Sequence, residues 1–448
     1  LIVNTVVGNQ IDIYGILLDS YTASLATIFK MNPVSPSVED ITILAPNFQG
    51  ALAIRFNVAK DFTINNVTAT GAGSTSIGLR NCTDFSVSSS YSIEVRDDVP
   101  STSSTEYGMA LIGCQRGLID GNTLAGERHS FTTGSGGNDF INNRIGIPVR
   151  EIKITGNHLV NDSRSKFHSA AIGTLQNFDL HGNSEYIVAT GNTIDNGAVI
   201  AGNHIKFNDN FITGSNDNGN NLIRGTELQG LDIEIVGNTL TATEPHTPDS
   251  DDRIFILLPF EYSNETPPSS RRGLQHGGTV VVRNNKMRCT YDNLANFSIP
   301  IEFRLRKDIS FTGGECHLIV EDNEIALPEN GNTYSNAIRL ATSEGFTTTP
   351  TPWDSVTSRD NKFINCGAWR TALGDDTLQY STKEFVVIND TIDAKGQADS
   401  AYRIENAEDI LIVEDVKIKG CQKQPLFLTC DALAVKDTTT LTKVLSIK

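Results

Sequence analysis

A short phrase that recurs along the chain constrains its fold more than any other feature of the sequence. Gly, Asp or Asn is followed by Asn, then by a residue that is usually polar, and then by an apolar one. A short β-rich run, such as Glu151–Ile154, precedes most copies. Self-similarity of this kind indicates a repeat architecture, because each repeat buries its apolar face only against its neighbours. The copies are Gly121–Leu124, Asn142–Ile145, Gly156–Leu159, Gly191–Ile194, Asp209–Ile212, Gly237–Leu240, Asn284–Met287, Asp322–Ile325 and Asp360–Phe363.

Between these copies the residues alternate between apolar and polar, as in Thr63–Thr68 and Thr279–Arg283. A period of two is typical of β-strands, whereas helical repeats place apolar residues at i, i+3 and i+4. Strands joined by tight Asn turns, coil upon coil, predict an all-β fold, a right-handed single-stranded parallel β-helix with loop insertions. At about 20 to 25 residues per coil, the 448 residues would form well over ten coils.

The turn asparagine is expected to fill two roles. Asn enters the left-handed backbone region at little cost, and its amide can hydrogen-bond to the equivalent Asn of the next coil. The intervals between these residues are irregular, since 14 residues separate Asn143 from Asn157 and 38 separate Asn285 from Asn323. The longer intervals predict loops inserted into the coils.

We divide the chain into an N-terminal cap at residues 1–40 and a β-helix at residues 41–448. Loop insertions are predicted near residues 241–278 and 345–356, where prolines interrupt the repeat. In the first of them we expect the chain to leave the solenoid and to return only at its end. Loops gathered on one face of a solenoid usually form its binding surface.

The composition argues against several classes of protein. A net charge of −17 and a pI near 4.9 disfavour nucleic acid as a general partner. No apolar stretch approaches the roughly 20 residues that cross a membrane. The chain begins at Leu1 with neither Met nor an apolar leader, so we expect a processed or trimmed fragment. Its seven cysteines never form a C-x-x-C pair, which predicts buried free thiols and no disulfide framework or zinc site.

Two segments depart from the repeat and carry residues capable of catalysis. The first, Gly126–Gly134, contains Arg128 and His129, and the second contains Asp179 and His181. Residues i and i+2 of a strand share a face, so Asp179 and His181 would project together. Arg128 and Asp179 are 51 residues apart, about two coils, which permits one longitudinal face to carry all four. The set predicts general acid–base chemistry, with Arg128 holding an anionic group.

The same segments carry a family resemblance. Glu127–Gly134, followed by Phe178–Glu185 and a Gly-Asn-Thr-Ile turn, resembles phage tail-associated β-helix proteins of the pectate-lyase-like superfamily. Those proteins tend to carry R-H-x-x-T-T-G and, some coils later, F-D-T-H ahead of G-N-T-I. The resemblance covers roughly Tyr107–Leu240, and Leu180 stands where Thr is common. The D-x-H phrase is also similar to the D-P-H signature of mannuronan epimerases and alginate lyases, although the Pro is absent here.

This resemblance implies a tailspike, a homotrimer on a virion tail or otherwise extracellular, that binds and cleaves bacterial surface or capsular polysaccharide and contacts other tail proteins. On a uronic acid, Arg128 would neutralise the carboxylate and His181 or His129 would take the C5 proton. Asp179 would orient the imidazole, and elimination of the glycosidic substituent would follow.

Hydrolysis is the other chemistry that the residues allow. It would need two carboxylates, about 5 to 5.5 Å apart for retention or 6.5 to 9.5 Å for inversion of the anomeric centre. Asp179 would be one of them, with Glu127, Glu185 or Glu227 as its partner. The histidines favour elimination slightly, and both reactions stay open on the sequence.

Substrate binding is assigned to a wider set of residues, namely Glu127, Lys166, His168, Glu227 and Trp353. Trp353 lies beside a predicted loop, where an exposed indole would stack on a pyranose ring, and packing in the coil interior is the equal alternative for this residue. Trp369, next to Cys366, is expected to pack in the interior. No cofactor is expected, since no tight spacing such as H-E-x-x-H occurs, although the Asp, His and Glu candidates are ligand types for a divalent cation.

Two rival functions stay open on the sequence. One is a non-catalytic carbohydrate-binding adhesin or tail scaffold, and the other is a secreted monomeric uronan lyase or epimerase. Exposed and mutually close side chains of Arg128, His129, Asp179 and His181 would favour an enzyme. Burial of the same side chains as coil filler would favour a scaffold.

Overall fold

A computed structural model describes most of the chain, which forms two units, Leu1–Asn32 and Pro33–Lys448. The first unit contains an antiparallel hairpin of β1 (Ile2–Val7) and β2 (Gln10–Tyr14). Within the described part of the chain, no helix is long and apolar enough to cross a membrane. The described residues are 2–7, 10–14, 36–44, 52–72, 74–93, 107–126, 128–134, 147–161, 176–181, 184–215, 221–244, 253–261, 274–290, 299–306, 311–329, 336–341, 353–372, 382–423 and 426–430.

The second unit is a parallel β-helix, as the repeat predicted. Each coil contributes one strand to each of three parallel ladders, which the chain visits in the order A, B, C. Ladder C has 13 strands, so the prediction of well over ten coils is confirmed. Two long strands, β20 (Ala198–Asn208) and β37 (Tyr402–Glu414), run through ladder A and continue into ladder B.

The other strands of each ladder are shorter. Ladder A contains β5 (Leu52–Asn57), β8 (Thr75–Arg80), β11 (Tyr107–Ile112), β14 (His129–Gly134), β17 (Phe178–Asp179), β22 (Ile223–Leu228), β25 (Arg253–Glu261), β28 (Ile299–Arg306), β31 (Asn336–Ala341), β34 (Gly367–Ala372) and β39 (Leu426–Cys430). Ladder B contains β3 (Ser37–Glu39), β6 (Lys60–Asn65), β9 (Thr83–Ser88), β12 (Gln115–Asp120), β15 (Val149–Thr155), β18 (Ser184–Thr190), β23 (Ile233–Val236), β26 (Gly278–Arg283), β29 (Cys316–Glu321), β32 (Trp353–Arg359) and β35 (Thr382–Ile388). Ladder C contains β4 (Thr42–Leu44), β7 (Thr68–Thr70), β10 (Tyr91–Ile93), β13 (Thr123–Gly126), β16 (His158–Asn161), β19 (Thr193–Asp195), β21 (Phe211–Ser215), β24 (Thr239–Glu244), β27 (Lys286–Cys289), β30 (Glu324–Ala326), β33 (Lys362–Ile364), β36 (Thr391–Asp393) and β38 (Lys417–Lys419).

Alternate side chains of every ladder point inward and stack along the solenoid. Phe131 and Phe178, in adjacent coils, have ring centroids 5.4 Å apart, and Phe178 meets Phe207 edge-on at the same distance. All three are fully buried. The cysteines at 82, 114, 289, 316 and 366 are buried free thiols, as predicted, whereas Cys421 is a free thiol that is only half-buried. This continuous core supplies the apolar burial that a single coil lacks.

The turn from ladder B to ladder C keeps the same length and the same left-handed first residue in every described coil. It divides between two residues the two roles that we expected of the asparagine alone. The first turn residue is Gly, Asp, Asn or Ser, and its φ lies between +50° and +72° in the left-handed region. In eight successive turns the second residue is a buried asparagine. In the other described turns it is Ile41, Val67, Ser90, Asp390 or Val416. In the series Asn122, Asn157, Asn192, Asn210, Asn238, Asn285, Asn323 and Asn361, each backbone N–H and Nδ2 donates to Oδ1 of the next, at 2.9 to 3.1 Å. Asn143 lies outside the described residues.

Longer connections occur only at the other two corners of the described coils, and both of those corners border ladder A. The prediction of one uninterrupted loop at 241–278 is wrong, because β25 returns to ladder A in the middle of it. Its apolar run Ile254–Leu258 forms a buried strand that the flanking prolines concealed. The segment 345–352 lies outside the described residues, and β32 begins at Trp353. The connections at these corners include 94–106, 135–146, 162–175, 216–220, 245–252, 262–273, 291–298, 307–310, 330–335, 342–352 and 373–381.

Candidate active site

The candidate catalytic residues lie on ladder A, in two adjacent coils. Strands β14 and β17 pair in parallel, with Phe131 opposite Phe178 and Thr132 opposite Asp179. The expected separation of two coils is therefore wrong. The 51 residues from Arg128 to Asp179 contain two long connections, so they complete only one turn of the solenoid.

A close backbone approach brings Arg128 and His129 to this position. At Gly126, the last residue of β13, an added Cβ would lie 2.1 Å from the His129 carbonyl oxygen. Real Cβ atoms do not come this close, so any other residue would force the corner open. Gly126 thus allows the chain to pass from ladder C to ladder A within a few residues.

Asp179 is the centre of the cluster. Its Oδ2 lies 2.8 Å from Nε2 of His181 and 3.5 Å from Nε2 of His129, and it accepts a hydrogen bond from the Thr132 hydroxyl at 2.9 Å. Only 5% of the Asp179 side chain is exposed. Burial acts to raise the pKa of this carboxyl group, but the attraction of His129 and the hydrogen bond and charge of His181 outweigh it and lower the pKa to about 2. Asp179 is therefore a fixed negative charge at neutral pH.

His181 is the member of the cluster that solvent and substrate can reach, because 46% of its side chain is exposed. Burial of the ring acts to lower its pKa, but the hydrogen bond to Asp179 and the charge of that carboxylate raise the pKa above the ordinary value. Since Nε2–H donates to Asp179, Nδ1 is the nitrogen left to exchange a proton with a ligand. The arrangement matches a base held in one tautomer by a carboxylate.

The backbone of His181 is held by two hydroxyl groups. Its N–H donates to Oγ1 of Thr133 at 3.0 Å, and its carbonyl accepts from Oγ of Ser184 at 2.8 Å. The two hydroxyl oxygens are 3.1 Å apart and also share a hydrogen bond. This ring of three contacts fixes the backbone from which the imidazole projects, although His181 lies beyond the end of β17.

His129 is buried and has a different environment. Its Nδ1 lies 2.6 Å from the carbonyl oxygen of Gln176, which only accepts, so Nδ1 carries the proton. Burial lowers the pKa of His129, and the attraction of Asp179 only partly offsets this. The two histidines on one carboxylate thus have pKa values shifted in opposite directions.

Arg128 and Tyr107 border the cluster on the side of His129. Nη1 of Arg128 donates to the Tyr107 hydroxyl at 3.3 Å, and its guanidinium carbon lies 5.9 Å from the centre of the Tyr107 ring. The same ring stacks on His129, with centroids 5.7 Å apart and planes 11° from parallel. Arg128 and Tyr107 are both half-buried. A positive charge is thereby held next to both imidazoles.

The glutamates that we considered as partners of Asp179 in hydrolysis lie at different distances from the cluster. Glu185 forms an ion pair with Nη2 of Arg150 at 2.8 Å on ladder B. Glu227, on β22, is half-buried and close enough for its charge to raise the pKa of His181. Glu127, Lys166 and His168 lie outside the described residues.

Trp353 does not present an open face to a sugar, contrary to expectation. Its side chain is 1% exposed and packs edge-on against Phe260, with ring centroids 6.2 Å apart. As the first residue of β32 it faces the core. Trp369 is fully buried, as predicted, and its Nε1–H donates to Ser358.

Metal binding finds no support in this cluster. The imidazole nitrogen of His181 points directly at the Asp179 oxygen, so the two do not converge on a common space. Among the described residues, no group of three or more His, Cys, Asp or Glu side chains is arranged to hold a metal ion.

Several residues of the site were missed from the sequence. Thr132, Thr133, Ser184, Gln176 and Tyr107 position the candidates, yet each is an ordinary β-coil residue. The signal that would have found them is the strand register, which pairs Tyr107 with His129 and Thr132 with Asp179. Irregular loop lengths conceal that register in the sequence.

Comparison with known proteins identifies the family. Residues 70–299, more than half of the chain and including the whole cluster, match the model of the family described as Gp49, pectin lyase-like. No curated protein matches the chain. The chain belongs to the Gp49 pectin lyase-like family.

Three solved structures are similar to the chain at low sequence identity. The tailspike gp49 of Pseudomonas phage LKA1 is 15% identical, with a TM-score of 0.41 over 85% of this chain and 51% of that one. The tailspike gp61 of Pseudomonas phage phi297 is 14% identical, with a TM-score of 0.45 over 80% and 48%. The Gp54 tailspike of Acinetobacter baumannii bacteriophage AP22, solved with a capsular saccharide, is 16% identical, with a TM-score of 0.46 over 74% and 47%. The chain thus spans about half the length of these proteins.

Proposed function

We propose that this member of the Gp49 pectin lyase-like family depolymerises an acidic bacterial surface polysaccharide by β-elimination. The observation that carries the proposal is the contact between the half-exposed imidazole of His181 and the buried carboxylate of Asp179 at 2.8 Å. A carboxylate that fixes the tautomer of an accessible histidine is the usual construction of a general base.

In the proposed reaction, Nδ1 of His181 removes the proton at C5 of a uronic acid unit. The electron pair of the broken C–H bond forms the C4–C5 double bond, and the glycosidic bond at C4 breaks. The leaving oxygen takes up a proton from the imidazolium or from water. Arg128 neutralises the substrate carboxylate, which acidifies the C5 proton, while Asp179 stabilises the imidazolium that forms.

The state of Asp179 favours elimination over hydrolysis. A glycosidase needs two carboxyl groups open to the scissile bond, and one of them must be able to donate a proton. Asp179 has an almost inaccessible side chain, a pKa of about 2 and two hydrogen bonds on Oδ2. Glu227 would need a second accessible carboxyl partner, and Asp179 is poorly suited to that role.

The test compares two histidines that each contact an aspartate. His204 lies on ladder B with Nδ1 3.2 Å from Oδ2 of Asp232, and both of these side chains are substantially exposed. Wild-type protein, His181→Ala and His204→Ala are incubated with a panel of capsular and secreted polysaccharides. Chain length and the ultraviolet absorbance of the new conjugated double bond are followed together.

We expect shortening with absorbance in wild type and in His204→Ala, and a loss of about 10²- to 10⁴-fold in His181→Ala. Shortening without absorbance would reject elimination and direct attention to Glu227. Binding without shortening would favour the adhesin, a reading supported by the burial of His129 and Asp179, which are only 2% and 3% exposed.

Assembly and location are part of the same proposal. As the family resemblance of the sequence implies, the protein forms a homotrimer on a virion tail, in contact with other tail proteins and with bacterial polysaccharide as its ligand. One similar tailspike was solved in complex with a capsular saccharide. Native mass spectrometry of the purified protein distinguishes this trimer from a secreted monomeric uronan lyase or epimerase. A trimer is expected, and a stable monomer that cleaves polysaccharide would support the secreted enzyme.

A further inference from the structure

One side of His181 along ladder A is open. In the coil before it, Gly134 lies beside His181, because Thr132 pairs with Asp179 two residues earlier in both segments. Of the described residues, only Ile112 would come within 4 Å of a Cβ added at Gly134, at 3.9 Å. The exposed imidazole of His181 therefore borders a position that carries no side chain.

The open positions continue toward the N-terminal coils. The strand register places Ile112 opposite Gly134 and Arg80 opposite Ile112. Ile112 is half-buried and Arg80 is exposed. Adjacent parallel strands lie about 4.8 Å apart, so the backbone of Arg80 is about 14 Å from that of His181. We call the row Gly134, Ile112 and Arg80 the N-terminal track.

The coil on the other side of His181 offers no comparable surface. Val199 pairs with Asp179 there and is 2% exposed. Ala201, two residues further along, takes the position that corresponds to His181 and is fully buried. A ligand bound at His181 therefore meets accessible positions along the N-terminal track and buried ones in the following coil.

Two exposed arginines stand at the far end of the track. They are Arg80 and, in the coil before it, Arg55. Nε of Arg55 donates to Oδ1 of Asn57 at 3.1 Å, and within the described part of the chain no ion pair is formed by either arginine. Arg116 on ladder B shows the usual alternative, since its Nε lies 2.6 Å from Oδ1 of Asp84. Positive charge at this end of the track is therefore available to an external anion.

We propose that the N-terminal track binds a uronic acid polysaccharide so that the reacting unit lies at His181 and Arg80 binds the carboxylate of a later unit. The inference rests on the proposed function, because it takes the site of elimination as one end of the bound segment. The missing side chain at Gly134 lets a sugar ring approach the backbone, and Ile112 offers apolar contact to the C–H groups of the next ring. The guanidinium fork of Arg80 matches a carboxylate.

Arg80 is thus a specificity-determining residue that acts only on long substrates. A ligand of one or two sugar units at His181 does not span the three coils to Arg80, whereas a longer oligomer does. The protein has a net charge of −17, which repels a polyanion in general. Exposed arginines at one end of the track offset this repulsion locally and fix the direction in which the chain lies.

The experiment measures the binding of oligogalacturonates and oligomannuronates, from the dimer to the decamer, to protein that carries His181→Ala so that the probes stay intact. Arg80→Gln removes the charge at the far end of the track. Gly134→Leu places a side chain beside position 181, and the strand accepts it because Gly134 lies outside the left-handed backbone region. Arg359→Gln is the matched control, since Arg359 is an exposed arginine on ladder B.

We expect the affinity of the parent to increase with oligomer length in at least one of the two series. In Arg80→Gln the decamer should bind about tenfold more weakly, while the dimer binds as before. Gly134→Leu should weaken the binding of both, and Arg359→Gln of neither. The track would be overturned by an unchanged length dependence in Arg80→Gln, by normal binding in Gly134→Leu, by no binding of either series to the parent, or by equally tight binding of neutral dextran oligomers.

Further readouts keep this inference apart from others. A purely structural role of Arg80 would lower the melting temperature and weaken the binding of dimer and decamer equally. With the histidine restored, Arg80→Gln should raise KM for long chains and leave kcat unchanged. Length-dependent binding through Arg80 by a protein that cleaves no polysaccharide would contradict the elimination and leave the track intact. Elimination that Arg80→Gln does not alter would do the reverse.

Discussion

Two buried aspartates of this solenoid have side-chain pKa values that are shifted in opposite directions. Asp179 on ladder A is 3% exposed and has a pKa lowered to about 2, whereas Asp390, at the end of the asparagine series, is fully buried and has a pKa raised to about 6. Asp390 accepts more hydrogen bonds, from the hydroxyls of Ser358 and Tyr402 and from both nitrogens of Asn361. Burial nevertheless dominates at Asp390, because every one of these donors is neutral.

The difference shows what makes a buried carboxylate useful for catalysis. At Asp179 two imidazoles supply positive charge that outweighs desolvation, so the carboxylate stays ionised and can polarise a base. At Asp390 the carboxyl group only completes a hydrogen-bonded network, and it keeps its proton to a higher pH than Asp179 does. Cationic neighbours, and not burial, thus decide whether a buried carboxyl group stays ionised and can act in catalysis.

The largest effect is expected for Asp179→Asn. The substitution keeps the shape of the side chain but removes the charge that fixes and stabilises the His181 imidazolium, so turnover should fall by about 10²- to 10⁴-fold. Asp390→Asn should leave turnover unchanged, and steady-state kinetics on the cleaved polysaccharide measures both. Similar losses in the two variants would mean that activity depends on general stability and not on Asp179.

The same comparison predicts the pH dependence of the reaction. His181 must be neutral to accept a proton, and Asp179 raises its pKa, so kcat/KM should rise with pH through a value above the ordinary one for histidine. In residual activity, Asp179→Asn should move this limb to lower pH because the attraction of the carboxylate is lost. An unmoved limb would assign the titration to another group.

A new buried carboxylate is expected to reduce stability. In Asn323→Asp an oxygen replaces Nδ2, which donates to the carbonyl groups of Val282 and Glu321 and to Oδ1 of Asn361. The free energy of unfolding should fall by at least about 3 kcal/mol at pH 8, and by less at pH 4, where the group takes up a proton. Asn323→Ala is the control, since its loss should not vary with pH, and urea denaturation measures both.

Asp390→Asn should change the pH dependence of stability in a defined direction. A raised folded-state pKa means that the contribution of Asp390 is fully present below about pH 4 and is lost as pH rises through about 6. The stability of wild type relative to Asp390→Asn should therefore fall by about 3 kcal/mol between pH 4 and pH 8. If the free energies of unfolding of the two proteins change in parallel with pH across this range, Asp390 is not protonated in the folded state.

The smallest effect is expected for Thr132→Val, which removes one hydroxyl donor from Asp179 and preserves the branched shape. A hydrogen bond to a charged group contributes about 1.5 to 3 kcal/mol, but the imidazoles remain, so turnover should fall by about tenfold. The raised pKa of His181 should persist in the pH profile. Complete inactivity would mean that Thr132 does more than orient the carboxylate.

Much of the fold could be predicted because the turn chemistry is local. Every described B-to-C corner has a residue at positive φ, and in eight successive corners a buried Asn follows it, so the sequence repeats that pair. The position of β25 could not be predicted, since Pro259 within an apolar run resembles a loop. The coil count between Arg128 and Asp179 failed for a related reason, because connections at the corners of ladder A vary in length.

The candidate site was predictable where its residues are close in sequence. Asp179 and His181 are two residues apart, and their contact follows from the strand period. The roles of Thr132, Thr133 and Ser184 depend on the register between coils, which no local pattern specifies. The burial of Trp353 depends equally on tertiary packing against Phe260.

The asparagine series also gives the solenoid a polarity. Every amide in it donates toward the next coil, so the side-chain dipoles add along the axis and the positive end lies where Asn361 meets Asp390. A carboxylate at that end is the counterpart of an acid at a helix N-terminus. In the following coil Val416 takes the same position and offers no acceptor. A coil duplicated upstream of Asp390 would extend the series with its direction intact, whereas a copy that included Asp390 would bury a negative charge in its middle.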